Sequence, residues 1–328
     1  MKILKTLVFL VLIQPLTSEA QKTYKDTFAH TFSIVARDSN TGEMAVGVQS
    51  HWFSVGTLVS WGKSGVGVVA TQSFANPAFG PEGLKLMSEG KTATEALEHL
   101  IGEDQGKDFR QVAFLDANGK ASAYTGKKCI VSADHIVGDN YSVQANMMLN
   151  DQVVPAMAKA FEENSDLPLA ERVMKVLIAA QEAGGDIRGK QSAALIVVNA
   201  ERVENPWKNK KIDLRVDDHQ EPLVELQRLL SVHRAYDFMN QGDLSVELGD
   251  MEKALEQYGA AEQLFPENLE MKYWKAVALA NNNRLEEALP IFETVFKGDE
   301  NWRELTKRLP KSGLLDLSDI DLKKIMEL

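Results

Sequence analysis

The chain is poor in cysteine: Cys129 is the only one in 328 residues. One thiol cannot form an internal disulfide, so the fold must be stable without disulfide bonds. The residues around it, TGKKCIV, predict that Cys129 is a small buried residue at the start of a strand. The alternative is a catalytic thiol, and it depends on the neighbouring Lys127, Lys128 and His135.

Basic charge is also scarce, with 36 Lys and Arg against 47 Asp and Glu and a formal net charge of -11. Phosphate binding needs clustered Lys and Arg, so we expect no nucleic acid and no anionic membrane as a partner. The six His are scattered, without an HExxH motif, and there is no Walker loop. Gly65-x-Gly67 lacks the third glycine of a dinucleotide site. We therefore predict no metal and no cofactor.

Long apolar runs are absent apart from residues 6–13, TLVFLVLI. That run is shorter than the about 20 apolar residues that cross a bilayer. It follows Lys2 and Lys5 and precedes small residues at the −3 and −1 positions of a cut before Gln21. Residues 1–20 are thus predicted to be a signal peptide, giving a periplasmic or extracellular protein with no membrane span after its removal. A buried first helix or an uncleaved anchor is the alternative.

Residues 30–216 alternate between strand and helix patterns in the order strands, two helices, strands, two helices, strands. Helix pairs that are segregated from hairpin-linked strands favour an α+β arrangement of layers, helix–sheet–sheet–helix, over a doubly wound parallel sheet. The run 65–70 is apolar on both faces, which predicts a central strand covered on both sides.

Strand patterns stop at about residue 221, and a 34-residue repeat begins. Ala254 and Ala288 are small enough to allow helices to approach closely, and the aromatic residues Tyr258 and Phe292 fill the gap between helices. Residues 221–328 are therefore predicted to be an all-α tetratricopeptide-like domain that offers a surface to a protein partner. A generic helical bundle is the alternative. The repeated pairs are Gly249 and Asn283, Ala254 and Ala288, and Tyr258 and Phe292.

Four segments carry a resemblance to a known family: HTFSIVARD, GVGVVATQSFANPAFGPEGL, YSVQANMM and GGDIRGKQSAALIVV. They resemble domain-of-unknown-function family 1028 over about residues 30–200, and the C-terminal half is similar to a subgroup with a helical tail. The family is placed among the Ntn-hydrolase-like folds. The resemblance therefore implies a four-layer αββα Ntn-hydrolase-like sandwich, but no particular substrate.

The same resemblance implies a catalytic residue. In Ntn hydrolases the nucleophile is a Thr, Ser or Cys at the processed N-terminus, and its own α-amino group, with a pKa near ~8, is the base. Thr31 opens the first strand of the family pattern. This chain departs from the pattern because residues 21–30 still precede Thr31 after signal removal. An active Thr31 requires a second cut after His30, by self-processing or by another protease; the alternative is that Thr31 is an ordinary strand residue.

Polar residues at the ends of predicted strands are candidates for substrate binding, since binding residues concentrate in such loops. Gln72 and Asn76 would line an oxyanion hole or cap a turn. Arg188 would bind a substrate carboxylate or pair with Asp186. The full set is Ser50, His51, Gln72, Asn76, Asn146, Asp186, Arg188, Gln191 and Ser192.

Two functions are compatible with these patterns. The first is an exported Ntn-type amidohydrolase that acts on a small amide or peptide and carries a helical interaction tail. The second is a non-catalytic module that binds a small ligand or a protein. They differ in whether Thr31 becomes a free N-terminus.

Overall fold

The computed structural model describes residues 27–328, so the predicted signal peptide lies outside the described residues. The strands are β1 (Thr27–Ala29), β2 (Thr31–Arg37), β3 (Met44–Ser50), β4 (Ser60–Lys63), β5 (Gly67–Ala75), β6 (Arg110–Asp116), β7 (Ala121–Thr125), β8 (Asp134–Gly138), β9 (Tyr141–Ala145), β10 (Ser192–Val198) and β11 (Lys210–Val216). The helices are α1 (Phe79–Ser88), α2 (Ala93–Glu103), α3 (Val153–Glu163), α4 (Leu169–Glu182), α5 (Pro222–Glu247), α6 (Met251–Leu264), α7 (Leu269–Asn281), α8 (Leu285–Gly298), α9 (Asn301–Ser312) and α10 (Asp319–Met326). Within residues 27–328, no helix is both long and apolar enough to cross a bilayer.

The strands form two antiparallel sheets. One follows the order β1-β5-β6-β7, with β4 also paired to β5, and the other follows the order β11-β10-β3-β2-β9-β8. Because β6 occupies one edge of β5, β4 and β1 share the opposite edge. Strand β4 pairs as far as Ala70, and β1 pairs from Ser73 to Ala75. The short β1 therefore pairs with the part of the β5 edge that β4 does not cover.

Alternating side chains divide the apolar residues among three layers. The inner faces of the two sheets pack on each other through residues such as Val35, Val46 and Val68. Helices α1 and α2 cover the outer face of the first sheet, and α3 and α4 cover the outer face of the second. Val68 and Val69 lie in different cores, so β5 is buried on both sides, as the apolar run predicts.

Helix α5 joins the strand layers to the helical tail. Its first turns bury Leu223, Leu226 and Leu230 in the core of the second sheet, whereas Ala235 and Met239 belong to the core of the tail. An ion pair of 2.9 Å between Arg234 on α5 and Glu171 on α4 lies at this junction. The expected order, a mixed α/β domain followed by a helical region, is confirmed.

The tail packs as the 34-residue spacing predicts. Ala254, Tyr258, Ala288 and Phe292 are all buried between helices. Tyr258 also requires the glycine at position 242, because a Cβ there would lie 2.6 Å from its ring. The 34-residue spacing therefore corresponds to a repeated unit of helix packing in the tail.

Ala254→Arg is expected to lower the free energy of unfolding of the tail by about 3–5 kcal/mol, since it buries a charge without a partner. The strand layers should remain folded, because repeat units contact mainly their neighbours. Hydrogen exchange of the α6 and α7 amides measures the effect. Glu256→Arg adds the same side chain on the exposed face of α6 and is the control. Equal protection of the tail in both variants would contradict the packing described here.

Candidate active site at the polar end of the sandwich

The space between the two sheets is apolar at one end and polar at the other. Strand β2 directs Thr31, Ser33 and Val35 inward, and only Val35 joins the apolar core. The facing strands add Gln72 and Gln111 at the polar end. All of these side chains are buried, so each polar group needs a hydrogen-bond partner within the protein.

The glutamines supply those partners. Gln72 accepts a hydrogen bond from the Ser33 hydroxyl at 2.6 Å and donates to Gln111 Oε1 at 2.7 Å. Its amide also donates to the carbonyl of Thr31 at 3.2 Å. Gln144 donates to Ser33 Oγ at 2.6 Å. A connected network of this kind fixes its members because breaking one bond leaves a buried polar group unpaired. It holds the start of β2 in place.

Thr31 is fully buried at the first position of β2. Its hydroxyl donates to the carbonyl of Ala29 at 2.8 Å, and its own carbonyl accepts from the backbone amide of Asn146 at 3.1 Å. His30 and β1 precede it, and β1 is paired to β5. The structure thus shows Thr31 with the upstream segment attached.

Strand register brings a second hydroxyl beside Thr31. Thr31 lies opposite Ser50 on β3, and Ser50 lies opposite Ser192 on β10. Ser50 Oγ donates to the carbonyl oxygen of His30 at 2.5 Å. Arg188 Nη2 donates to the same oxygen at 2.9 Å. This carbonyl belongs to the peptide bond that must break before Thr31 can have a free amino group.

A buried carboxylate positions Arg188. Asp186 accepts from Arg188 Nε at 3.0 Å and from Nη2 at 2.7 Å. It also accepts from the backbone amides of Arg188 at 2.9 Å and of His51 at 3.1 Å. Of the two predicted roles of Arg188, the ion pair is present, and the same guanidinium reaches a carbonyl. Two donors, one of them charged, would stabilise negative charge on that oxygen.

The ring of His30 lies in a pocket of its own. Its Nδ1 is 2.7 Å from Asn146 Oδ1, and its ring lies perpendicular to the ring of Phe74 at a centroid distance of 6.0 Å. Asn146 is itself held by a bond from Nδ2 to Gln111 Oε1 at 2.9 Å. Burial lowers the pKa of His30 from its ordinary value of 6.5, and the Arg188 cation acts in the same direction against Asn146 and Asp186. The pocket therefore favours a neutral imidazole.

Acid is expected to loosen the segment that carries His30. Its pKa is lower in the folded protein than in the unfolded chain, so the unfolded chain binds more protons and stability falls as the pH drops through 6.5. Hydrogen exchange at residues 29 and 30, corrected for its intrinsic pH dependence, measures this in a Thr31→Ala background. His30→Gln removes the titrating group and is the control. A pH dependence that survives in this variant would assign the effect to another group, such as His135, whose pKa burial also lowers.

The other candidate residues have partners away from this carbonyl. Asn76 Oδ1 accepts from the amide of Ala78 at 3.1 Å and so caps a turn, which is the second role predicted for it. Gln191 donates to Asp218 at 3.2 Å, and the Ser192 hydroxyl holds the carbonyl of Trp52. His51 is exposed, and its contact with the site is through its backbone amide. These contacts give no support to a binding role for the four side chains.

Four residues of the site were not predicted from the sequence: His30, Ser33, Gln111 and Gln144. A signal for three of them was present. Ser33, Gln111 and Gln144 are polar residues that each adjoin at least one apolar residue within a buried strand. A polar residue at an inward position needs a partner, so this pattern marks the polar end of a sandwich.

The predicted position of Cys129 at the start of a strand is wrong. It lies in the loop between β7 and β8 rather than at a strand start, and Sγ donates to the carbonyl of Arg110 at 3.3 Å. Burial raises the pKa of its thiol, which disfavours the thiolate. Lys127 and Lys128 lie 3.5 and 4.0 Å from Asp108. Hydrogen bonding to Ser73 and Gly126 lowers the pKa of the thiol, but the effect of burial is larger.

Comparison with known proteins adds a family and a solved relative. A model of a family of unknown function, DUF1028, matches residues 31–226, and a tetratricopeptide repeat model matches residues 239–299. The crystal structure of a DUF1028-family protein from Silicibacter pomeroyi shares 30% identity and a TM-score of 0.55, covering 62% of this chain and 88% of the relative. Anbu (ancestral β-subunit) from Yersinia bercovieri shares 12% identity and a TM-score of 0.32, covering 60% of this chain and 92% of that one, which is too weak to support a fold assignment. No curated protein matches the chain.

Proposed function

We propose that this chain, which belongs to the DUF1028 family, is the precursor of an exported N-terminal-nucleophile amidohydrolase whose nucleophile is Thr31. One observation carries the proposal. The carbonyl before Thr31 accepts hydrogen bonds from Ser50 and from Arg188, as an oxygen that must bear negative charge requires. The substrate is a small amide or peptide.

The surrounding fold supports this assignment. Two packed sheets lie between two helix pairs, the arrangement that the resemblance to Ntn hydrolases implies. Thr31 begins β2, an inner strand of its sheet, and the match to the family model begins at the same residue. In this chain residues 1–30 therefore extend beyond the family domain.

Self-cleavage would free Thr31. Its Oγ attacks the carbonyl carbon of His30, the C–N bond breaks, and the hydroxyl proton is transferred to the departing nitrogen of Thr31. The product is an ester between His30 and Thr31 Oγ. Water hydrolyses this ester, leaving a carboxylate on His30 and both a hydroxyl and a free amine on Thr31. Ser50 and Arg188 stabilise the oxygen in both tetrahedral intermediates.

Amide hydrolysis repeats the same chemistry on a substrate. The free amine of Thr31, with a pKa of about 8, removes the proton from Oγ. Oγ attacks the substrate carbonyl, the amine of the substrate leaves with a proton, and water cleaves the acyl ester. One oxyanion site thus serves both self-cleavage and turnover.

Export and the tail complete the proposal. We propose that signal removal leaves a chain that begins near Gln21 in the periplasm or outside the cell. The tetratricopeptide-like tail supports interaction with a protein partner, since stacked repeats present extended binding surfaces.

Intact-mass measurement and N-terminal sequencing of the exported protein test the proposal. We expect a chain that begins near Gln21 to convert on incubation to one that begins at Thr31, with amide hydrolysis appearing in step. A protein that retains residues 21–30 and is fully active would contradict Thr31 as the nucleophile. One that binds a ligand without any turnover would identify a non-catalytic module.

A further inference from the structure

We infer that the slot filled by Thr27–His30 is the substrate cleft, and that it takes an extended peptide whose residue before the scissile bond carries an imidazole. The peptide would pair as a strand with the edge of β5. This inference rests on the proposed function and names the substrate class of the same site.

Chemistry requires the two acyl groups to share one site. The ester formed in self-cleavage joins Thr31 Oγ to the acyl group of residues up to His30. The acyl-enzyme of each later turnover joins the same oxygen to the acyl group of the substrate. Ser50 and Arg188 hold the carbonyl oxygen in one place, so the chain that leads to that carbonyl must follow one path. Residues 27–30 show that path.

The path is a strand-binding edge. Ala29 lies opposite Ser73, residue 28 opposite Phe74 and residue 27 opposite Ala75, all antiparallel. Strand β4 ends its pairing at Ala70, so β1 is the described strand that pairs with this part of the β5 edge. Main-chain hydrogen bonds along such an edge bind an extended peptide whatever its side chains are. The cleft thus fits a peptide better than a compact small amide.

The pocket of His30 provides the selection. A planar ring with a nitrogen 2.7 Å from Asn146 Oδ1 packs in a T-shaped contact with Phe74. Gln111 holds the Asn146 amide, which therefore has a fixed acceptor oxygen. A carboxylate in this pocket would face that oxygen with no proton to donate, and an alanine would leave it unpaired. An imidazole satisfies both the amide and the aromatic ring.

The test uses protein that begins at Thr31, obtained by self-cleavage or produced to start there. The family match starts at Thr31, and every described strand except β1, together with every described helix, begins at or after that residue. Cooperative unfolding of this form is checked first. The probes are the coumarin amides of acetyl-Thr-Phe-Ala-His and acetyl-Thr-Phe-Ala-Glu. The free acid acetyl-Thr-Phe-Ala-His and its reversed sequence serve as ligands for a Thr31→Ala variant that is produced to begin at residue 31, because this variant cannot remove residues 27–30 by itself.

We expect kcat/KM for the His probe to exceed that for the Glu probe at least tenfold, and the forward peptide to bind at least tenfold more tightly than the reversed one. Asn146→Leu should remove the His preference while the backbone pairing still binds the peptide. Equal binding of forward and reversed peptides, or no His preference, overturns the inference. Hydrolysis of simple amides without peptide binding would support the proposed function and contradict the peptide cleft. Selective peptide binding without any cleavage would support the cleft and contradict the assignment as an enzyme.

Discussion

Thr31→Ala is expected to leave the exported protein as a permanent precursor, with its N-terminus near Gln21 and no amide hydrolysis. Alanine has no oxygen to attack the carbonyl of His30, so neither the ester nor the free amine can form. Loss of a nucleophile lowers turnover by more than about 10⁴-fold. Time courses of intact mass and amide hydrolysis measure both effects.

The fold should survive this substitution. Among residues 27–328, the Thr31 hydroxyl bonds to the carbonyl of Ala29. Gln72 and Asn146 bind the Thr31 backbone carbonyl, which alanine retains. The expected cost is about 1 kcal/mol. Thr31→Ser keeps both the hydroxyl and the amine and should retain part of each activity. Thr41→Ala, in an exposed turn, is the matched control and should process normally. A Thr31→Ala protein that still yields a chain beginning at residue 31 would show that another protease makes the cut.

The tail was the most predictable part of the molecule. Residues 34 apart in the chain occupy equivalent positions in adjacent helix pairs, so Ala254 and Ala288 report their packing through local sequence alone. The layers of the first domain followed from the order of strands and helices. Helix α5 was less predictable, because its pattern does not reveal that Leu223 and Leu226 pack on the sheets rather than on the tail.

The residues of the site were predictable in part, and their contacts were not. Thr31, Ser50 and Arg188 were all candidates because they stand at strand ends or in a glycine-rich loop. Ser50 and Arg188 come from distant parts of the chain and meet because β10 pairs with β3 in one register. Register depends on side-chain packing across the whole sheet. The sequence could therefore nominate donors but could not identify the His30 carbonyl as their acceptor.

Ser50→Ala is expected to slow cleavage of the His30–Thr31 bond by about 10²–10³-fold, the usual cost of removing one oxyanion donor. The variant keeps the backbone pairing of Ser50 with Thr31 and Ser192. Amide hydrolysis by any Thr31 chain that does form should fall by a similar factor, since the same oxygen position serves both reactions. Rates of processing and of turnover are measured separately, the second in protein produced to begin at Thr31.

Ser60→Ala is the matched control, because Ser60 is also buried on a strand and donates at 2.8 Å to a carbonyl, that of Gly56, away from the site. Ser60→Ala should lower the free energy of unfolding by a similar amount, about 1 kcal/mol, and should leave the rates of processing and turnover unchanged. Arg188→Met removes the second donor but leaves the Asp186 carboxylate buried without its cation. It therefore slows processing and also lowers the free energy of unfolding by about 3–5 kcal/mol. Ser50→Ala is free of that complication. If it is processed as fast as Ser60→Ala, the bond to the His30 carbonyl contributes to structure alone, and Arg188 must stabilise the oxyanion without it.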